Sequence, residues 1–439
     1  MKQYKRLLSI LTLMLITLFA TAQNGSNSPY TRYGFGQLSD QSFGNSKAMG
    51  GLTYGLRNKY QINAANPASY SAVDSLTFLF DAGMSLQNTN FTENGTKTNA
   101  KNSTVDYIAM QFRLYKGLGF TAGFIPYSIV GYNMSDSSPI QDSTDQYGNT
   151  TTAMYTFTGE GGVQQIFVGL GYEPVKNLSI GANVSYIYGD FSHSASTSFS
   201  NTNADLSLWT EEVSISDFKL DLGLQYIQNL GEKHDVTLGA VYSFGKDLSS
   251  DARKSYKKYN SSSVLLSETS YSISNACSLP ESFGAGATYV YDNRLTVGLD
   301  YTKQKWGNVK YPTTQNEQYT SQEGLFTDRT KIAAGAEYLP DPYSRSLLKR
   351  VRYRMGIYYS SPYIKVYNKD KKIYEEGPKE YGISLGLGLP IFQSRSVLNI
   401  SGQYVKVSPK VTGMLEENTL RVNIGLTFNE RWFMKWKVN

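Results

Sequence analysis

A chain of 439 residues with 40% hydrophobic and 18% charged side chains, 39 glycines and 35 tyrosines has material for a large core, in a composition that favours strands over helices. The formal charge of +6 falls to +3 if Lys2, Lys5 and Arg6 are removed with a leader, which leaves no nucleic-acid footprint. The single Cys277 excludes an internal disulfide and CxxC chemistry, and the two histidines, His193 and His234, leave almost nothing for a metal site or histidine-based catalysis.

In chain order, the first element is a basic start followed by LLSILTLMLITLFA, about fourteen apolar residues where a membrane helix needs roughly twenty. The stretch Ala20-Thr21-Ala22-Gln23 follows, so residues 1–22 read as a secretory signal peptide with the mature chain starting at Gln23. Residues 23–74 have no long alternating run. They contain SPYTRYGFGQ, the pair Gly50-Gly51 and the stretch NAANPASYSAVDS, and read as a compact irregular segment ahead of the first strand. Asn66-Pro67 makes a stiff corner, because proline fixes its own φ and pushes the preceding residue out of the helical region. The small neighbours Ala64, Ala65, Ala68 and Ser69 let that corner lie against a wall rich in glycine.

From Ser75 onward the pattern has period 2, which places successive side chains on opposite faces of a strand. Leu178, Ile180, Ala182, Val184 and Tyr186 oppose Ser179, Gly181, Asn183 and Ser185. Phe218, Leu220, Leu222, Leu224 and Tyr226 oppose Lys219, Asp221, Gly223 and Gln225. The same two-faced pattern returns at 381–389 and 420–428. Polar stretches expected to be long loops lie at 88–103, 131–161, 192–212, 249–278, 307–327, 364–379 and 407–417. Between them come turns near Lys116-Gly117, 173–177, 231–235, Asp292-Asn293, 340–349 and 392–396. This alternation predicts an all-β, transmembrane antiparallel barrel of about fourteen strands over residues 75–428, with long connections at one end and short turns at the other. A closed sheet is also what lipid demands, since an open edge would leave backbone groups unpaired. Residues 429–439, with Trp432 and Trp436, read as a short periplasmic tail.

An exported barrel led by Met49-Gly50-Gly51 and then by Asn66-Pro67-Ala68 resembles the FadL/TodX family of outer-membrane transporters for hydrophobic compounds. LPESFGAGATY (279–289) is similar to a stretch of the same family. The resemblance implies that residues 23–74 form a plug, or hatch, in the lumen, with Gly50, Gly51, Asn66, Pro67 and Ala68 as its motif. It also implies an opening in the wall at a kink in the third strand. Here that strand carries Pro126 between Gly123 and Gly131, and proline and glycine mark bends and bulges in a sheet.

On the polar face, Arg352, Arg354 and Arg421 would point inward with Asp221 and Asp300, and an arginine fork suits the carboxylate head group of an acid ligand. The function these features imply is passive uptake of hydrophobic molecules, fatty-acid-like or aromatic, in the outer membrane of a Gram-negative bacterium. The expected partners are those molecules, the outer-membrane lipid and lipopolysaccharide. No cofactor, metal or nucleic acid is expected, and the chain does not read as an enzyme. The alternative is a barrel of the same fold that binds protein partners as a platform in secretion or surface attachment, its lumen permanently plugged.

Overall fold

The computed structural model describes residues 25–431 apart from 94, 145–149, 202–203, 369–370, 392–395 and 412. The leader at 1–22 and the tail beyond Arg431 lie outside the described residues. Fourteen strands form the wall: β1 Thr77–Glu93, β2 Thr96–Tyr115, β3 Leu118–Thr144, β4 Thr150–Val175, β5 Leu178–Phe199, β6 Leu206–Asn229 and β7 His234–Ser243 in the first half. The second half consists of β8 Ser282–Tyr291, β9 Leu295–Gln304, β10 Arg329–Tyr338, β11 Arg352–Ser360, β12 Lys379–Pro390, β13 Val397–Ser408 and β14 Glu416–Arg431. Each pairs antiparallel with the next, and β14 closes on β1 from Thr77↔Arg431 to Thr92↔Glu416.

The expected two faces are present. Phe218, Leu220, Leu222, Leu224 and Tyr226 of β6 are exposed on the outside, as are Ile383, Leu385 and Leu387 of β12, with Leu385 at 62%. Between them Asp221, Gln225 and Ser384 are buried inside. A continuous apolar exterior backed by a polar interior is the reverse of a water-soluble domain and belongs in lipid.

The strands differ from expectation in length. Three of the stretches read as loops, 131–161, 192–212 and 249–278, are largely strand. β3 and β4 run on together as far as the pair Thr144↔Thr150, and Ser250–Tyr259 and Leu265–Ser274 form a hairpin of their own on β6. Outside lipid a strand needs no apolar face, so its sequence turns polar while its pairing continues. Polarity alone then reads as loop. The stretch at 88–103 is likewise the tip of the β1–β2 hairpin. The regions 307–327 and 364–379 contain the short hairpins Tyr311–Gln315 with Gln318–Gln322 and Lys365–Asn368 with Ile373–Glu376.

The segment at 25–76 is held by the wall. Its hydrogen bonds run to inward-facing residues on strands around the whole circumference. The Gly44 amide donates to Tyr107 Oη on β2 (2.8 Å), and Gln403 Nε2 on β13 donates to Lys47 O (2.8 Å). Ser384 Oγ on β12 donates to Ala48 O and accepts from the Gly50 amide (both 3.0 Å). Asp300 Oδ2 on β9 accepts from the Thr53 and Tyr54 amides (2.6 and 2.9 Å), while Gln225 Nε2 on β6 donates to Tyr54 O (2.9 Å) and Asn183 Nδ2 on β5 donates to Ala64 O (2.9 Å). Irregular backbone cannot satisfy itself, so polar side chains from the wall do it.

Candidate functional site

The segment's two sequence motifs each rest on a row of glycines that line up across neighbouring strands. Gly119, Gly171, Gly181 and Gly223 are successive cross-strand partners on β3 to β6. A Cβ on them would stand 2.0 Å from Tyr70 O, 2.4 Å from Pro67 O, 2.3 Å from Pro67 C and 2.3 Å from Asn66 Oδ1. On another sector, Gly298, Gly335 and Gly356 are partners on β9 to β11. There a Cβ on Gly335 would meet Met49 O at 2.4 Å, and one on Gly356 would meet Gly50 N at 2.1 Å. The wall's missing side chains are the space that the segment's backbone fills.

Asn66 is fully buried and does three things at once. Its Oδ1 accepts from the Ala68 amide (3.1 Å), capping the 3-10 turn Pro67–Ala72, and its Nδ2 donates to Tyr54 O (2.8 Å) and Leu224 O (3.3 Å). Pro67 opens that turn, where its missing N–H costs nothing. Gly50 has φ +71°, a left-handed conformation glycine adopts without strain.

Near Pro126, where a kink is expected, the pairing between the second and third strands ends early. β2 and β3 pair from Tyr115↔Leu118 only as far as Ile108↔Phe124. Beyond that, β2 pairs with β1 alone, and β3 with β4 on one side. Gly123 is still within the paired region, opposite Ala109; Pro126 comes two residues after the last pair. Residues 25–41 occupy the parting. Gln37 and Leu38 add to β3 as a two-residue strand opposite Ile129 and Ser128, and Gln41 Nε2 donates to Pro126 O (3.1 Å). The Gly131 amide donates to Thr31 Oγ1 (3.2 Å), and Gln87 Nε2 of β1 donates to Gly25 O (2.9 Å).

Two of the spaces left inside are lined by charged side chains. A cavity of about 150 Å³ is lined by Asp40, Asp300, Arg329, Lys331, Glu380 and Arg421 among others, and a second of about 60 Å³ beside the parting by Lys47, Gln87, Asp106 and Arg421. Lys331 and Asp40 stand 3.5 Å apart, and Lys47 and Asp106 form a buried pair at 2.7 Å. Burial pushes the Asp40 carboxyl up, but Lys331 and Lys47 outweigh it and hold its pKa at about 2.

The three arginines expected to face a ligand are placed differently from one another. Arg352 Nη1 and Arg354 Nε both grip Glu337 at 2.6 Å, and Arg354 Nη1 donates to Asn399 Oδ1 at 2.6 Å. Arg421 donates to Gln87 Oε1 (3.2 Å) and lines both cavities. Both histidines bond to tyrosines, His193 to Tyr132 (3.1 Å) and His234 to Tyr289 (2.7 Å).

Sequence reasoning gave no role to the GFG of SPYTRYGFGQ. Phe35 is fully buried between Gly34 and Gly36, edge-on to Trp306 (5.7 Å) and Tyr311 (5.8 Å). Tyr311 Oη donates to Gly34 O (3.1 Å), and Trp306 packs on Tyr363 (4.5 Å). This aromatic cluster ties the segment to the long connections within a buried apolar core.

A family model described as BamG matches residues 4–439. Among solved structures, the chain is similar to the toluene transporter TbuX of Ralstonia pickettii, with a TM-score of 0.61 and 14% identity over 90% of this chain and 99% of that one. It is also similar to the toluene transporter TodX of P. putida (TM-score 0.58, 15% identity, 90% and 100%). A FadL homologue from Pseudomonas aeruginosa gives a TM-score of 0.58 at 13% identity over 90% and 100%. No curated protein matches the chain by sequence. The resemblance to the FadL/TodX family therefore holds at the level of fold.

Proposed function

We propose, from the premise that this chain belongs to the BamG family and has the fold of the FadL/TodX channels, that it stands in a Gram-negative outer membrane as a sealed barrel and serves as a platform for protein partners. The observation that carries this reading is the way residues 44–72 are held: backbone against glycine rows, hydrogen-bonded around the ring, with an aromatic core tying the segment to the long connections. The spaces that remain favour it too. A hydrocarbon moving past Lys47–Asp106 and Asp40–Lys331 would strip water from ion pairs and give nothing in return. In this reading residues 23–74 are a fixed plug, and Gly50, Gly51, Asn66, Pro67 and Ala68 are its anchoring residues.

A second reading, passive uptake of hydrophobic molecules, is favoured by one observation: β2 and β3 part at Pro126. The relatives named as toluene transporters share this fold. Residues 25–41 would then have to leave the parting to open a lateral exit between Gly123 and Gly131, and Arg421, Arg352 or Arg354 would hold an acid head group.

Proteoliposomes separate the two. The platform reading predicts that vesicles carrying the purified barrel take up toluene and a long-chain fatty acid no faster than protein-free vesicles. Uptake that scales with protein, and that stops when Thr31→Cys and Gly131→Cys are joined by a disulfide, would establish the channel instead.

A further inference from the structure

Beyond the lipid-facing band, β3, β4, β5, β6 and the hairpin Ser250–Tyr259/Leu265–Ser274 continue as one sheet. Such a sheet has two edges, and the two are treated differently. On β3 the edge is blunted: Gln37–Leu38 covers Ser128 and Ile129, and farther out come Asp136 and Pro139. The other edge is Leu265–Ser274, whose one ladder among the described residues is with Ser250–Tyr259, although the strand Gln318–Gln322 lies near it without pairing. It is ten residues long, contains no proline or lysine and a single charge, Glu268, and every residue but Ile273 is exposed. The two remaining hairpins have strands of only five and four residues. Exported proteins guard long free edges, because a row of unpaired N–H and C=O groups recruits another strand.

The rows across this sheet specify what would fit. On one face Trp209, Tyr256 and Thr269 lie side by side, followed by Glu211, Lys254 and Tyr271, then Val213, Ala252 and Ile273. Lys254 Nζ sits 5.0 Å from the Trp209 ring centre. On the other face the charges alternate across the strands. Glu212 is beside Arg253, and Lys257 is beside Glu268, with Arg253 and Lys257 reaching Glu268 at 3.7 and 3.6 Å. Glu268 is the outermost charge of that ladder, so the next strand continues it with a cation.

We propose that Leu265–Ser274 is a docking edge that takes an extended segment of a partner protein as an added strand. A Lys or Arg of that segment stands opposite Glu268, and aromatic or β-branched residues pack beside Thr269, Tyr271 and Ile273. The inference rests on the platform reading and names its contact. Backbone pairing supplies the affinity and the alternating side chains the selectivity.

The test uses the full chain in detergent and a fluorescent nine-residue peptide, Thr-Val-Thr-Tyr-Lys-Tyr-Thr-Val-Thr, with two controls: the same peptide with alternate amides N-methylated and a version with Glu in place of Lys. The proposal expects the Lys peptide to bind and the N-methylated one not to. Glu268→Lys should weaken the Lys peptide and favour the Glu peptide by roughly fivefold, the scale of one cross-strand charge pair. Thr269→Pro and Ser270→Pro are compared because adjacent N–H groups point to opposite sides of a strand. One of the pair removes only an outward N–H, so it should keep the hairpin and lose the peptide. No binding, or binding indifferent to N-methylation and to Glu268→Lys, overturns the proposal. So does a protein that dimerises through this edge in sedimentation, since the occupant is then a second copy. If the peptide fails while vesicles still take up no toluene, the docking edge falls and the platform stands. If vesicles do take it up, the platform reading fails whatever the peptide does.

Discussion

The part of the interior at the glycine rows and the part at the aromatic core are closed by opposite means. At the first, the segment's backbone, the Asn66 amide and the Pro67 ring meet bare wall backbone, because the wall has no side chains there. At the second, they meet through the largest side chains in the protein, with Phe35 and Trp306 fully buried. Backbone contact leaves nothing that can rotate away. Aromatic packing stores more energy per residue and can loosen locally without disturbing the wall. The first closure should therefore fail all at once and the second by degrees.

Gly181→Val and Gly223→Val are the sharpest way to break that contrast. Each puts a branched side chain where a Cβ alone would be 2.3 Å from segment atoms. Overpacking against the Pro67 backbone, or against the Asn66 amide and Pro67 ring, should cost about 3 kcal/mol. The expected result is loss of the heat-modifiable band that marks a closed barrel on SDS gels, and a normal band would argue that the segment is not seated there. Trp306→Ala should cost about 4 kcal/mol, yet leave the heat-modifiable band intact. Its effect should appear as faster proteolysis in 305–327 and 361–378. Lys47→Met leaves Asp106 buried and unpaired, for a loss of about 3 kcal/mol. Adding Asp106→Leu should recover most of that loss in a thermal melt, and no recovery would mean the pair is not what holds the helix turn Gly44–Lys47.

The smallest effect is one of pH. With its folded pKa at about 2, below the ordinary carboxylate value of 3.8, Asp40 adds stability that is complete above about pH 4 and drains away as pH falls toward 2. Asp40→Asn should flatten the melting temperature between pH 4 and 2, by less than about 2 kcal/mol at pH 4. A wild-type and variant difference that stays constant over that range would remove Asp40 from the account.

Much of the wall was legible in the sequence, because lipid imposes period 2 on every spanning strand. Leu220, Leu222 and Leu224 could face only one way. The turns were legible for the same reason, as interruptions of that pattern. The strands beyond lipid were not, since Ser194, Thr197 and Ser272 need no apolar alternation to stay paired. Asn66-Pro67 announced a corner, but what it rests on comes from four successive strands well beyond it in the chain. Only with the register known do Gly119, Gly171, Gly181 and Gly223 become one surface. That Arg352 and Arg354 both reach Glu337 is a matter of register too, since Glu337 lies on the preceding strand. Phe35 carried no periodic signal at all. Its significance depends on Trp306, Tyr311 and Tyr363, which reach it from separate connections.

Hydrogen–deuterium exchange on the bilayer-reconstituted protein tests the sealed interior most directly. If residues 44–72 are part of the wall, their amides will exchange as slowly as those of β4 to β6, with Ala68 and Tyr70 among the most protected. Exchange of the whole segment in one step, orders of magnitude faster than the strands around it, would reveal a stopper that moves, and would contradict the account.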